Sequence, residues 1–135
     1  MKPKKTMVEV KQPAPIVWHS QAGQDQFVHA LHPRPGRFMD IGSGHPTERN
    51  NTYALEKLGW SGLLIDADDH VASITPSARK SRFIHGRTPE VLSTAPFMEW
   101  ETEGRPVIAY LSLDVDAGTL DALRALAQAA TTRPK

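Results

Sequence analysis

"FMDIGSGHPTERNNTYALEKLGWSGLLIDADD", residues 38–69, holds two apolar runs, each stopping at a carboxylate, with a glycine turn and a short helical pattern between them. Residues 37–42 form a short apolar strand candidate, interrupted by Asp40. They give way to Gly42, Ser43 and Gly44, then to a polar loop with His45 and Pro46. The pattern from Asn51 to Leu58 predicts a helix, and Gly59 stands where a glycine C-cap belongs. "GLLIDA" then predicts a second buried strand that ends on Asp66.

The same alternation extends in both directions. Upstream, "SQAGQDQFVHAL" predicts a helix over 20–31, with Ser20 as N-cap and Phe27, Val28 and Leu31 on one face; "HPRPG" closes it. Residues 1–16 read as a flexible basic leader broken by Pro3, Pro13 and Pro15. Downstream come a helix over 69–79 that must accommodate Pro76, a third strand in "SRFIHG", and a loop or weak helix over 87–105. "PVIAYLSLDV", residues 106–115, is the longest apolar run and predicts a central strand, followed by the alanine- and leucine-rich helix "AGTLDALRALAQAA". Apolar strands alternating with helices predict an α/β domain with a mainly parallel sheet of about four strands, covered on both faces. One Rossmann-like domain over 17–131, with a short tail at 132–135, is expected.

Composition narrows the function classes. The 135 residues carry 16 basic and 15 acidic side chains, a formal net charge of +1, so no electrostatic footprint argues for nucleic acid or an acidic membrane surface. Lys2, Lys4 and Lys5 fall in the leader, where a solvated tail accounts for them. The lack of cysteine excludes disulfides, thiolate metal sites and cysteine nucleophiles, and fits a cytoplasmic protein. No apolar stretch approaches the ~18 residues of a membrane span. His19, His29, His32, His70 and His85 show no metal-ligand spacing, and no metal is expected. Trp18, Trp60 and Trp100 read as core or loop anchors, or as an aromatic acceptor pocket.

In a parallel sheet of this kind a ligand sits beyond the carboxyl ends of the strands, where the strand order reverses. The polar residues fall there: Asp40 to His45 after the first strand, Asp66 to Asp68 after the second, His85 and Gly86 after the third, Asp114 to Asp116 after the fourth. Gly42 and Gly44 would let the backbone turn tightly and approach a ligand. Asp66, about 24 residues after Gly42, stands where such folds place a carboxylate that accepts hydrogen bonds from ribose hydroxyls. A ribose-bearing cofactor is the functional reading. The plain alternative is a tight loop and a carboxylate that caps the next helix.

"SQAGQDQFV", "FMDIGSGHPTERNNTYALEKLGWSGLLIDADD" and "YLSLDVDAGTLDAL" together resemble the FkbM-type branch of class I S-adenosylmethionine-dependent methyltransferases. The resemblance runs from about residue 19 to 126, and its most specific part is the Asn-Thr-Tyr and "EKLGWSGLLID" run. It implies a three-layer Rossmann-like sandwich that binds S-adenosylmethionine. Asp40, Gly42, Ser43 and Gly44 would line the methionine end of the cofactor, and Asp66 would hold the ribose with Ala67 and Asp68 beside the adenosine. Asn51 and Thr52 match the helix opening after the loop, and Ser20, Gln21, Gln24 and Asp25 match a segment near the cofactor pocket. Asp114 to Asp116 would face the reacting methyl group. After the fourth strand the family shows an acid, a glycine, any residue and a glutamate, whereas Asp116 is followed here by Ala117, Gly118 and Thr119. The family's sheet also continues through a further antiparallel portion, so the chain reads as a first half of the fold.

Methyl transfer to a small-molecule or saccharide hydroxyl asks the protein to align the acceptor and remove a proton. Asp116, Asp114 and His45 are the candidate bases; as structural residues, Asp116 would cap the last helix and Asp114 would accept backbone hydrogen bonds. A non-catalytic cofactor-binding module is the alternative that the missing acid favours. "LSLDVDAGTLDAL" also resembles the magnesium-dependent haloacid-dehalogenase phosphatase signature, with Ala117 inserted ahead of Gly118. An uncovered last strand would leave an unpaired edge, and a homo-oligomer through that edge is expected.

Overall fold

The computed structural model describes residues 14–102, 107–115 and 119–131. Most of the expected leader, the tail at 132–135, and Asp116 with its two followers lie outside the described residues. The elements run α1 (Gln24–Leu31), β1 (Arg37–Ile41), α2 (Tyr53–Lys57), β2 (Ser61–Asp66), α3 (Asp69–Ala78), β3 (Arg82–His85), α4 (Thr88–Val91), α5 (Ala95–Thr102), β4 (Tyr110–Leu113) and α6 (Thr119–Thr131).

The four strands form one parallel sheet in the order β3-β2-β1-β4. Phe38 pairs with Gly62 on one side and Tyr110 on the other, and Ile41 with Ile65 and Leu113. Strand alternation splits the apolar residues between two faces. Phe38 and Leu64 pack with Val28, Leu55 and Trp60 from the α1 and α2 side. Met39, Ile41, Leu63 and Ile65 pack with Val91, Leu92, Phe97 and Trp100, and with Ala125 and Leu126 of α6. Helices on both faces of a parallel sheet make the three-layer α/β architecture that the alternating sequence predicts.

Local chemistry sets the element ends. α2 stops in a Schellman motif: the Gly59 amide donates to the Glu56 carbonyl and the Trp60 amide to the Leu55 carbonyl, both at 3.0 Å, with Gly59 at φ 101°. Its start is later than expected, at Tyr53, because the Asn50 side-chain oxygen accepts from the amides of Thr52 and Tyr53 at 2.9 and 2.8 Å. Likewise α1 begins at Gln24 rather than Ser20. The Ser20 hydroxyl accepts from the Asp25 amide at 3.0 Å, while the Asp25 carboxylate accepts from the amides of His19 and Ser20, a reciprocal box one turn before the helix. Of the apolar face expected on α1, Val28 is buried, whereas Phe27 and Leu31 are exposed.

Two further expectations are corrected. The strand expected over 106–115 covers only Tyr110–Leu113, because its partner β1 ends at Ile41 and the ladder ends with it. Among the described residues β4 is an edge strand rather than a central one. The segment 87–105 holds the helices α4 and α5, which bring Val91, Phe97 and Trp100 onto the sheet.

Candidate functional site

With the order β3-β2-β1-β4, chain direction across the sheet reverses between β1 and β4, and a crevice is expected beyond their carboxyl ends. A cleft of about 560 Å³ opens there, within the roughly 300–1,000 Å³ of small-molecule sites. Each strand contributes to its wall: Gly42 follows β1, Asp66 to Asp68 end β2, Gly86 to Pro89 follow β3, and Asp114 and Val115 follow β4.

The two loop glycines have different reasons. Gly42 adopts φ 73°, and a Cβ there would lie 1.8 Å from the Asp114 carbonyl oxygen. Its missing side chain makes room for the neighbouring strand's backbone, and Gly42 itself lines the cleft. Gly44 has φ 65° and faces open space, so its backbone is accessible. Its amide donates to Asp66 Oδ2 at 2.9 Å, and the Asp68 amide donates to Asp66 Oδ1 at 2.8 Å. Asp66 therefore joins the loop after β1 to the turn after β2. Each carboxylate oxygen keeps acceptor capacity beyond one backbone bond, so both can still receive hydroxyl donors. Asp68 caps α3 by accepting from the Val71 amide at 3.0 Å, and Ala67 is exposed on the cleft wall.

Asp40 and Thr52 face away from the cleft. Alternation puts Asp40 on the face of Phe38, beneath the start of α2, and it is buried. The Thr52 hydroxyl donates to Asp40 Oδ2 at 2.7 Å and accepts from Arg79 Nη2 at 3.1 Å. Burial pushes the Asp40 carboxyl up to about 6, although Thr52, Arg79 and Ser112 pull it the other way. Arg79 also donates to Glu56 at 2.8 Å and to the Pro46 carbonyl and Asn50 Oδ1. Burial alone would raise the Glu56 pKa, but Ser81 and Arg79 outweigh it and hold the carboxylate below its usual range. The Asn50 amide nitrogen donates to the carbonyls of Ser43 and His45. This buried network fastens the loop 43–50 to α2 and to the end of α3. Asn51 reaches across to the Ser112 hydroxyl at 3.1 Å.

Ser43 is buried, and its hydroxyl has no hydrogen-bond partner among the described residues. Neither Ser43 nor Gly44 lines the cleft; both lie in the loop that adjoins it. His45 is exposed; its Nδ1 accepts from the amides of Thr47 and Glu48, which places the proton of the neutral ring on Nε2. As placed, its ring closes the loop and has a donor, not a base, to offer. Asp114 lies exposed on the cleft wall, while Asp116 falls outside the described residues. Gln21 is exposed and Gln24 accepts from the Ala22 amide; both lie outside the cleft wall. The segment does touch the loop, through the Asn50 amide to the His19 carbonyl at 2.9 Å.

Arg87, Thr88 and Asp121 line the cleft and were not anticipated. Arg87 and Thr88 follow β3, so the rule that points to strand ends would have found them. Asn50 and Arg79 carried no such signal, since their partners lie elsewhere in the chain. With Asp66, Asp68, Asp114 and Asp121 against Arg87, the wall is acidic overall and favours a cationic centre in the ligand. Among the described residues no group of three or more histidines and carboxylates is placed to hold a metal ion, and no helix is long and apolar enough to cross a membrane. No family model matches the chain, and no curated protein matches it.

Proposed function

We propose that the chain is a short Rossmann-like methyltransferase that binds S-adenosylmethionine in the cleft and methylates a hydroxyl of a small molecule or saccharide. The observation that carries the reading is Asp66, which ends β2 on the cleft wall and holds the glycine loop by its Gly44 amide. Two features of the cleft support the cofactor: the spare acceptor capacity of Asp66 and an acidic wall suited to a sulfonium. When bound, the cofactor supplies an activated methyl group. Asp66 would orient the ribose hydroxyls, and Ala67 and Asp68 would flank the adenosine. Asp114, also on the cleft wall, would accept a proton from an acceptor hydroxyl.

A second reading is a cofactor-binding module without transfer. It is favoured by the inward turn of Asp40 and Thr52 and by the engaged Nδ1 of His45, which together leave few groups free for proton transfer. Methyl-labelled cofactor incubated with a panel of sugar and phenol acceptors separates the two. Label transfer that falls at least tenfold in Asp114→Asn supports the enzyme; cofactor binding with no transfer to any acceptor supports the module. The edge of β4 that has no strand partner among the described residues would be paired or covered in a homo-oligomer.

A further inference from the structure

Asp40 is a buried carboxylate without a cation of its own. It is 2 % exposed and forms no ion pair among the described residues. Arg79, at the end of α3, is joined to it through the Thr52 hydroxyl and is itself matched by Glu56 at 2.8 Å. The groups around Asp40 come from each neighbouring element. Thr52, at the start of α2, and Ser112, its register partner on β4, offer hydroxyls that favour the charge, while Asp66 on β2 opposes it. Tyr110 on β4, which feels both Asp40 and Asp25 of α1, stays neutral because burial raises its pKa. A buried carboxylate so placed favours its proton.

The same carboxylate is sealed by the loop 43–50. Leu64 and Ser112 flank Asp40 within the sheet, so its way to water runs past Thr52. Asn50 holds Thr52 there: its Oδ1 accepts from the Thr52 amide at 2.9 Å, and its Nδ2 donates to the Ser43 and His45 carbonyls at 3.1 and 2.9 Å. Arg79 adds a bond to the Pro46 carbonyl at 3.2 Å. Thr52 therefore cannot move aside to admit water while the loop stays fastened. Near its start the loop carries Gly44, whose amide meets Asp66 on the cleft wall.

We propose that the proton on Asp40 locks the loop 43–50, so that the loop opens as the carboxyl ionises and Gly44 is released from Asp66. Closed, the loop keeps the carboxyl dry and protonated; open, it hydrates the carboxylate and returns its pKa toward the ordinary range. By linkage, opening is most disfavoured at low pH and becomes easier as pH rises through the titration of the buried group. The loop needs no ligand to behave so, and the cofactor reading can fail without touching it.

Amide exchange on the ligand-free chain tests this, read as protection factors so that the intrinsic pH dependence of exchange is divided out. Gly44 and Asn50, whose amides donate to Asp66 and to the His19 carbonyl, report on the loop; Leu63 and Leu64, in the sheet, report on global unfolding. The loop amides are expected to be less protected than the sheet, with protection that falls at least about tenfold between about pH 4.5 and 7.5 and stays level in Asp40→Asn. His45 and Asp66 are present in both proteins and cancel from the comparison. Ser112→Ala removes a hydroxyl that favours the charge and is expected to move the midpoint to higher pH, which decides the matter if Asp40→Asn does not fold. Loop protection equal to that of the sheet at every pH, loop protection that does not change with pH, or a pH dependence that Asp40→Asn retains overturns the proposal, as does a midpoint that Ser112→Ala leaves in place.

Discussion

The amide of Gly44 donates to Asp66 Oδ2 at 2.9 Å, so the loop that follows β1 is held by the residue that ends β2. The other oxygen of the same carboxylate accepts from the Asp68 amide at 2.8 Å. Hydrogen bonds to a charged group contribute about 1.5–3 kcal/mol each, less where solvent reaches them, as it does at half-buried Asp66. Asp66→Ala is expected to lower stability by about 1–3 kcal/mol and to speed amide exchange at Gly44 and Asp68 above the global rise. Unchanged relative exchange at those two amides in the variant would show that Asp66 does not hold the loop.

Gly42 and Gly44 share a positive φ but not an environment, so their alanine variants should diverge. Gly44→Ala meets open space and carries only the left-handed backbone cost, about 1–2 kcal/mol. Gly42→Ala adds a collision with the Asp114 carbonyl, which can be relieved only by parting β1 from β4. Urea denaturation should find Gly42→Ala the more damaging by at least about 2 kcal/mol, or unfolded. Equal losses would contradict the close approach of the two strand ends.

Asp40 gives the protein a definite pH dependence. Its folded pKa, about 6, is raised from 3.8, chiefly by burial, so the folded state holds the proton more tightly than the unfolded chain. That stabilisation is fully present below the unfolded pKa and is lost as pH rises through the folded one. Asp40→Asn is neutral throughout and keeps an oxygen for the Thr52 hydroxyl. At about 1.4 kcal/mol per pKa unit, wild-type stability relative to Asp40→Asn should fall by on the order of 2–3 kcal/mol between about pH 4 and 7. Glu56, whose lowered pKa acts in the opposite sense, is present in both proteins and cancels from the difference. Parallel stability curves for the two proteins would mean that Asp40 ionises normally.

The edge of β4 is the expected place of self-association. Leu111 on β4 is 43 % exposed and Val107, just before it, 71 %, and among the described residues β1 is the strand's one partner. An exposed strand edge with apolar side chains is a template for pairing. Sedimentation velocity should show a dimer or higher species that Leu111→Lys shifts toward monomer. A wild-type monomer at tens of micromolar would refute the assignment.

Much of the architecture was legible because it rests on local signals. Short apolar runs marked the four strands, Gly59 marked the end of α2, and the alternation of elements implied the parallel sheet. β4 misled because apolar content signals burial but not position in a sheet, and its ladder is limited by β1. The cleft was legible as a set of strand ends, which is why Asp66, Asp68 and Asp114 lie on its wall. Asp40 sits at such an end too, yet alternation turns it into the α2 layer, where Thr52 and Arg79 receive it. Arg79 and Asn50 were missed because each acts through partners distant in sequence, contacts that no spacing rule encodes.

The central claim is that Asp66 holds a ribose on the wall of the cleft. Titration calorimetry of S-adenosylmethionine and S-adenosylhomocysteine against the native chain and against Asp66→Asn tests it most directly, since asparagine keeps the side chain's shape while removing the charge. The account predicts saturable binding of both ligands to the native chain and at least a tenfold loss in the variant, about 1.4 kcal/mol. A folded native chain that binds neither ligand, or a variant that binds both as tightly as the native chain, would contradict it.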